Sequence, residues 1–336
     1  MTTDELALLG LAAAALAFLL VGLVRWQALR HGVLDHPTER SSHSTATPRG
    51  GGLGLLVAFL LVIAFGPVRR MDPSVLVLLV GSAIVATVGL IDDRRGLTVR
   101  SRLLVHFATG SLVGIVAAAD AGSLPMRLLL WGWWTFWTVS SVNLVNFMDG
   151  INGLVTSQIA VFALSLALLV MGASPIAALA VVLVGACVGF LPWNFPRARI
   201  FLGDVGSGAL GYLVPVLALL AQRTHGIDIV QAHLPLLPLY GDATWTILRR
   251  WRNGERLTTA HRSHLYQRLA NGRLGHSTVT IIYAVAASGG ALAAHAGAAS
   301  RRAAWEAAYV LTTMIAGLLL HRLASRATGG GQRPGA

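Results

Sequence analysis

Two adjacent carboxylates, Asp92 and Asp93, end a long apolar run and are followed at once by Arg94 and Arg95. Neighbouring carboxylates repel each other, and a hard divalent cation such as Mg²⁺ relieves that repulsion while leaving positions open for phosphate oxygens. The same pattern also fits a solvated helix end whose charges face water. The pair is therefore compatible with phosphoryl chemistry, and by itself it does not separate the two interpretations.

A second polar set lies in an otherwise apolar stretch, where Asn143, Asn146 and Asp149 recur at every third residue. This spacing places the three side chains near one face of a helix. Polar groups at bilayer depth are costly, so the stripe favours a polar cavity. The glycines on either side of Asn152 allow a tight turn or a close approach to a ligand. The alternative is a hydrogen-bonded contact between helices.

A lone carboxylate, Asp204, lies in a glycine-rich segment, residues 201–208, that opens another apolar run. The exposed amides of a helix start suit phosphate, and Asp204 suits a metal ion that bridges to that phosphate. An ordinary glycine-rich turn is the alternative.

The longest polar loop, residues 249–276, combines several arginines with the sequence His261, Arg262, Ser263, His264. Arginine matches phosphate through two parallel hydrogen bonds, and histidine can donate to a diphosphate or carry a proton near neutral pH. A basic loop that touches anionic lipid headgroups would explain the arginines but not the paired histidines. Zinc is a weaker interpretation, because two histidines three residues apart are a poor tetrahedral set.

The elements that must position these residues are membrane helices. The chain has 336 residues, of which 55% are hydrophobic and 12% charged, and its mean hydropathy is +0.67. Such a composition belongs in a bilayer, where a span needs about 20 apolar residues. The single cysteine lies within an apolar run, so it excludes a disulfide framework and a cysteine metal cluster. About eleven spans are predicted, at residues 5–25, 51–67, 74–91, 103–119, 128–145, 154–172, 176–191, 207–221, 234–248, 277–296 and 304–321.

The arginines orient these spans. All 26 basic residues are arginine, and placing the N-terminus outside puts 20 of them on the cytoplasmic side and 6 outside. The positive-inside rule favours this arrangement and removes nucleic-acid binding as the reason for the net charge of +12. We therefore expect an all-α, polytopic membrane protein with the N-terminus outside and the C-terminus in the cytoplasm. A single catalytic domain is predicted over residues 1–327, with a disordered tail over 328–336.

With these motifs the chain resembles the polyprenyl-phosphate N-acetylhexosamine-1-phosphate transferases (glycosyltransferase family 4). This family includes phospho-MurNAc-pentapeptide transferase and the GlcNAc-1-phosphate transferases that begin O-antigen and teichoic-acid synthesis. The resemblance covers residues 35–270 and also includes residues 37–43, which end in His43, and residues 48–52, which contain Arg49. Several motifs in one order are far more specific than any one of them.

The resemblance implies a reaction in which a lipid phosphate attacks the β-phosphate of a UDP-N-acetylaminosugar and releases UMP. It implies Mg²⁺ as the cofactor, with Mn²⁺ as the alternative, undecaprenyl phosphate as the acceptor, contact with membrane lipid, and a homodimer. The implied location is the bacterial inner membrane, with the site facing the cytoplasm. The implied residues are Asp92, Asp93, Asp149 and His264 for catalysis; Asn143, Asn146, Asn152, His43, Arg49, His261 and Arg262 for substrate binding; and Asp204, Asp93 and Asn146 for the metal.

Two departures from the family pattern indicate which branch of the family the chain resembles. Asn152 stands where many relatives have a second aspartate, and the histidines are spaced more widely than in a tight cluster. Both features resemble the branch that initiates surface glycans. We expect Asp204→Asn and Asp93→Asn to abolish turnover without disturbing the fold. The competing class is a transporter, although transporters hold polar groups near the midplane and often have repeated halves. A lipid-phosphate phosphatase would need a nucleophile and base that the motifs do not supply.

Overall fold

The structure is a computed structural model that describes residues 1–37, 45–66, 73–170, 172, 174–259, 261–296 and 299–329. Helices dominate these residues. The α-helices are α1 (Thr3–Arg30), α2 (Gly52–Phe65), α3 (Pro73–Arg95), α4 (Val99–Ala118), α5 (Leu124–Phe147), α6 (Leu154–Leu169), α7 (Pro175–Asn194), α8 (Gly203–His225), α9 (Ile229–His233), α10 (Leu237–Arg252), α11 (Leu265–Leu269), α12 (Gly275–His295) and α13 (Ala299–Gly329). Two-residue strands, β1 (Leu34–Asp35) and β2 (Thr47–Pro48), pair antiparallel.

The all-α class is confirmed for the described residues, and each of the eleven predicted spans coincides with one of the longer helices. Within the described part of the chain, six helices are long and apolar enough to cross a membrane, and the shorter helices α2 and α6 are also apolar. The count of eleven spans, the orientation and the single domain stay predictions. The last helix reaches Gly329, and residues 330–336 of the predicted tail lie outside the described residues.

Helix α8 forms the centre of the bundle and packs against α2, α3 and α5. Nearly all residues in the apolar stretch of this helix are buried inside the protein. Glycines bring the backbones together, since a Cβ atom on Gly211 would lie 2.8 Å from the Cα atom of Val142 on α5. Helices in a bilayer gain little from hydrophobic burial, so close packing of small residues is a main source of their association.

The ends of α5 and α8 differ from the predicted spans in a way that matters for chemistry. Helix α5 continues to Phe147, so Asn146 lies in its last turn, and α8 begins at Gly203, so Asp204 lies in its first turn. Hydropathy ends a span where polar residues begin, whereas the hydrogen-bonded helix continues beyond the apolar segment. The polar residues are thereby carried on rigid helix ends.

Candidate active site

A cavity of about 240 Å³ opens at one end of the bundle, where α3 and α5 end and α8 begins. Its lining is mostly polar. The polar and charged side chains that line it are Asp35, Arg49, Asn146, Asp149, Asn152, Asn194, Asp204, Gln267 and His276. Most come from segments far apart in sequence, so only the packing of the helices brings them together.

Asp204 lies at the centre of the charged groups. Its Oδ1 atom accepts hydrogen bonds from Nδ2 of Asn146 at 3.1 Å and from Nη2 of Arg49 at 3.2 Å. Its Oδ2 atom lies 3.4 Å from Nη1 of Arg102. The side chain is 22% exposed, so it is accessible from the cavity while being held by three neighbours. This arrangement suits a carboxylate that shares its charge with a cation or a phosphate.

Asp93 is buried and holds the start of α8. Its two oxygens accept from the backbone amides of Asp204 at 3.0 Å and Val205 at 3.2 Å, and Nε of Arg49 donates at 2.8 Å. The first amides of a helix have no partner inside the helix, and a carboxylate is favourable there. Asp93 therefore acts as a cap supplied by α3, and its predicted roles in catalysis and metal binding stay predictions.

Asp92 bonds to α4 and to the segment between α3 and α4. Its Oδ2 atom accepts from Nη1 of Arg102 at 2.7 Å, and its Oδ1 atom accepts from the amide of Leu97. The same Nη1 atom lies 3.4 Å from Oδ2 of Asp204, so one guanidinium nitrogen brings the two carboxylates together. Two carboxylates this close need a shared proton or a cation, and Arg102 supplies part of that charge.

Arg49 reaches the site because the segment around it pairs with the segment before α8. The amide of Phe201 donates to the carbonyl of Pro48 at 2.8 Å, and the amide of Gly51 donates to the carbonyl of Phe201 at 2.8 Å. Gly50 between them has φ of +94°, a conformation that favours glycine. The glycine-rich segment 48–52 thus places Arg49 beside Asp93 and Asp204.

The polar stripe of α5 divides between two cavities. Nδ2 of Asn146 donates to Asp204 and, at 2.9 Å, to Oγ of Ser207, whereas Nδ2 of Asn143, one turn earlier, donates to the carbonyl of Val139 at 2.7 Å. Asn143 does not line the main cavity. It lines a smaller cavity between α3, α4, α5 and α8, which also touches Asn146 and Asp204.

Asp149 lies in the turn after α5 and lines the main cavity. Burial raises the pKa of its carboxyl group to about 8, and the negative charge of Asp204 adds to the effect. In this state the group is largely protonated at neutral pH. A carboxyl group with a pKa near the working pH can take or release a proton during a reaction, which suits the predicted catalytic role.

Asn152 lines the cavity and also ties its wall together. Its Nδ2 atom donates to the carbonyl of Pro196 at 3.1 Å, and its own carbonyl accepts from Oγ1 of Thr280 at 2.7 Å. Asn152 is therefore a neutral connector between three segments.

His261 and His264 lie beside each other and outside the lining of the main cavity. His264 is buried, and its ring centroid is 4.9 Å from that of His261. Burial lowers the pKa of both imidazoles to about 4. The neighbouring His264 lowers the pKa of His261 further, and Arg249 and Arg250 of α10 lower that of His264 further. Both rings are therefore neutral at neutral pH. His261, Arg262 and His264 are not among the residues that line the main cavity, and His43 lies outside the described residues.

Four polar cavity residues, Asp35, Asn194, Gln267 and His276, were not among the site residues predicted from the sequence. Gln267 lies on α11 and His276 lies on α12. The motif from His261 to His264 stands out in the sequence of the loop 249–276, whereas these two residues do not. Asn194 ends α7 and bridges two backbones, since its Oδ1 atom accepts from the amide of Gly153 at 2.6 Å and its Nδ2 atom donates to the carbonyl of Ile200 at 2.9 Å. A lone amide at the end of an apolar run was the available signal.

Asn194→Ala is expected to destabilise the protein by about 1–3 kcal/mol, because it leaves two buried backbone groups without their partner. The KM for the substrate in the cavity should rise as Gly153 moves. Thermal unfolding in detergent measures the first effect. Ser288→Ala, on the exposed face of α12, is the control, because its hydroxyl bonds only within its own helix turn. An Asn194→Ala protein as stable as this control would contradict the bridging role.

Carboxylates and amides are the groups of this site that could bind a metal ion. Among the described residues no group of three or more histidine, cysteine, aspartate or glutamate side chains is arranged to hold a metal. Mg²⁺, however, is usually held by one or two carboxylates, with phosphate oxygens and waters completing its shell. The adjacent carboxylates of Asp92 and Asp204, beside Asn146, fit that smaller requirement.

Comparison with known proteins places the chain. Residues 75–222 match the model of glycosyl transferase family 4. The decaprenyl-phosphate N-acetylglucosaminephosphotransferase of Mycobacterium tuberculosis is 33% identical over 329 residues, covering 83% of this chain and 79% of that protein. The probable undecaprenyl-phosphate N-acetylglucosaminyl 1-phosphate transferase of Bacillus subtilis is 28% identical, covering 78% and 77%. A phospho-N-acetylmuramoyl-pentapeptide-transferase of Synechococcus is 34% identical over 227 residues, covering 62% and 65%. The resemblance of the motifs is thus confirmed, and the chain belongs to glycosyl transferase family 4.

Proposed function

We propose that this chain transfers N-acetylglucosamine 1-phosphate from UDP-N-acetylglucosamine to a polyprenyl phosphate and releases UMP. Two relatives that match most of the chain are named for a decaprenyl or undecaprenyl phosphate and for N-acetylglucosamine. The observation that carries the proposal is that two cavities share Asp204 and Asn146 in their linings. A reaction between two phosphates needs residues that both substrates can reach.

The main cavity suits the nucleotide sugar. Its wall offers amides and carboxyls from Asn146, Asp149, Asn152 and Gln267. A sugar and a uracil ring present many donors and acceptors, and a site built to bond them rejects analogues that lack them. We place the diphosphate near Asp204 and Arg49, where a guanidinium lies beside the cavity.

The smaller cavity suits the lipid phosphate. Val85, Val88 and Val142 make one part apolar, while Asp92 and Arg102 lie at the same cavity. A polyprenyl phosphate has this division between hydrocarbon and charge. Arg102 would hold the phosphate through charge-assisted hydrogen bonds while the chain follows the apolar surface between helices.

The proposed transfer exchanges one bond to the β-phosphorus of the donor for another. An oxygen of the lipid phosphate forms a bond to the β-phosphorus of the donor, and the bond from that phosphorus to the oxygen bridging the two phosphates breaks, so UMP leaves with that oxygen. Arg49 and Arg102 stabilise the charge that spreads over the phosphate oxygens. Any proton that the lipid phosphate carries passes to Asp92, and the protonated carboxyl group of Asp149 can give its proton to the phosphate of the leaving UMP.

Mg²⁺ is the proposed cofactor and would be held by Asp204 and Asp92 with Asn146 beside them; Mn²⁺ is the alternative. When bound, the ion neutralises the phosphate charge and aligns the two substrates. The two arginines that already bridge the carboxylates support a need for positive charge at this point.

The proposed location is the inner membrane of a bacterium, with the site on the cytoplasmic side. The excess of arginine on one side of the predicted spans supports this orientation. A water-soluble donor requires a site open to an aqueous compartment. The proposed pathway is cell-wall biogenesis, in the branch that initiates surface glycans, and a homodimer remains a prediction.

The test is turnover by purified protein in detergent with Mg²⁺ and either decaprenyl or undecaprenyl phosphate. UDP-N-acetylglucosamine, UDP-N-acetylgalactosamine and UDP-MurNAc-pentapeptide are compared by UMP release. We expect release with the first donor, loss of release with EDTA, and recovery when Mg²⁺ is added back in excess. Folded protein that releases no UMP from any donor would contradict the proposal and favour the transporter alternative. Free phosphate in place of UMP would favour a phosphatase.

A further inference from the structure

One carboxylate that the sequence motifs left unassigned, Asp242 of α10, is bonded to the start of α11. Its Oδ1 atom accepts from the amide of Leu265 at 2.8 Å, and its Oδ2 atom accepts from the amide of Tyr266 at 2.9 Å. The hydroxyls of Tyr283 and Thr246 also donate to it, at 2.7 Å and 3.3 Å. Asp242 thus connects α10, α11 and α12 from a buried position.

The segment that Asp242 holds supports the turn after α5, which carries Asp149. The hydroxyl of Tyr266 donates to the carbonyl of Phe147 at 3.0 Å, at the end of α5. The same hydroxyl packs so closely on Gly150 that a Cβ atom there would collide with it. The next residue, Gln267, lines the cavity. A shift of α11 would therefore move the turn that carries Asp149.

The residue before this segment, His264, is the second partner. Its Nδ1 atom is buried, has no hydrogen bond to a described residue, and lies 3.9 Å from Oδ1 of Asp242. A carboxylate beside one ring nitrogen favours a proton on that nitrogen, which leaves the other nitrogen as the acceptor. The same pairing stabilises the ring when it becomes charged.

Other groups around His264 act against that charge. Arg249 and Arg250 of α10 disfavour a cationic ring, and His261 lies beside it on the same loop. The hydroxyls of Tyr266 and Tyr283 are the remaining titratable groups nearby. Asp242 is the acidic group within 4 Å of the imidazole among the described residues. It is therefore the group that can favour a proton on His264.

We propose that Asp242 is a positioning residue for the transfer reaction: it seats the segment from His264 to Tyr266 against the turn after α5 and directs the Nδ1–H group of His264 toward itself. The proposal rests on the proposed function, because the reaction supplies its measurement. Asp242 itself is not among the residues that line either cavity.

The test compares Asp242→Asn with two controls, Thr246→Val and Tyr283→Phe. Each control removes one hydroxyl that bonds to Asp242 but leaves the carboxylate intact. We expect Asp242→Asn to lower kcat/KM about 100-fold, since a misplacement of about 1 Å can cost that much. We also expect the limb of the pH profile that depends on His264 to move to lower pH, because loss of the carboxylate lowers the pKa of the ring. The controls should lower the thermal midpoint without moving the profile.

A double substitution separates positioning from a purely structural role. If Asp242 acts through His264, Asp242→Asn should cost less in kcat when His264→Gln is already present than it does in the wild type. Equal costs and an unmoved pH profile would overturn the pairing with His264.

Should Asp242→Asn fail to fold, Tyr266→Phe and His264→Gln test the two halves of the proposal. We expect Tyr266→Phe to raise the KM for UDP-N-acetylglucosamine and His264→Gln to remove the pH limb. A normal KM together with an unchanged profile would overturn the proposal. A folded wild-type protein that releases no UMP would instead refute the proposed function, so the two failures are distinguishable.

Discussion

Asp204→Asn is expected to reduce UMP release by about 10³-fold, which corresponds to roughly 4 kcal/mol of lost transition-state stabilisation. The substitution removes one negative charge from a residue that lines both cavities. An asparagine oxygen can still accept from Asn146 or Arg49, so the shape of the site is kept while the ability to hold a cation is lost. Turnover under saturating substrates and Mg²⁺ measures the effect.

Asp120→Asn is the matched control. Asp120 is exposed and pairs with Arg223 beyond the far end of α4, about 30 Å along that helix from Arg102. It should retain full activity. Thermal unfolding must show that the Asp204→Asn protein is folded, and near-normal turnover by that folded protein would eliminate Asp204 as the centre of the site.

Gly89→Val is expected to abolish activity and lower the thermal midpoint together. Gly89 lies on α3 where it meets the first turn of α8, and a Cβ atom there would lie 2.6 Å from the amide nitrogen of Val205 and even closer to the carbonyl of Asp204. These are backbone atoms and cannot rotate away. The two helices must separate, which breaks the bonds from Asp93 to the start of α8. We expect a loss of at least 100-fold in kcat/KM.

Gly132→Val provides the control for the loss of a helical glycine. Gly132 lies within α5, and a Cβ atom there would meet no atom within 4 Å. This variant should keep both activity and stability. Equal behaviour of the two variants would mean that the contact between α3 and α8 does not determine the geometry of Asp204.

The structure also changes what Asp93→Asn should do. The sequence predicts lost turnover with an intact fold, but both carboxylate oxygens of Asp93 accept from amides of α8. An asparagine would direct an N–H group at one of those amides. We therefore expect lower stability as well as lower activity, and thermal unfolding in detergent separates this outcome from that of Asp204→Asn.

The sequence by itself determined the class of the molecule and the residue types available for chemistry. A bilayer requires long apolar helices, so hydropathy alone located each of the long helices to within several residues. The helical period similarly placed Asn143 and Asn146 one turn apart on α5, because that relation depends only on residues three apart, whereas Asp149 lies in the turn after that helix. Motif order was sufficient for the family, which the comparisons confirm.

Only the tertiary structure decided which polar groups meet. Asp93 and Asp204 are more than 100 residues apart, and their contact depends on the close packing of α3 against α8 at Gly89. The same holds for Asn194, which bonds to Gly153, and for His264, which the loop places beside Asp242. Local sequence carries helix propensity and hydropathy, whereas these contacts depend on how helices pack across the whole bundle. Residue types could therefore be read from the chain, and their partners could not.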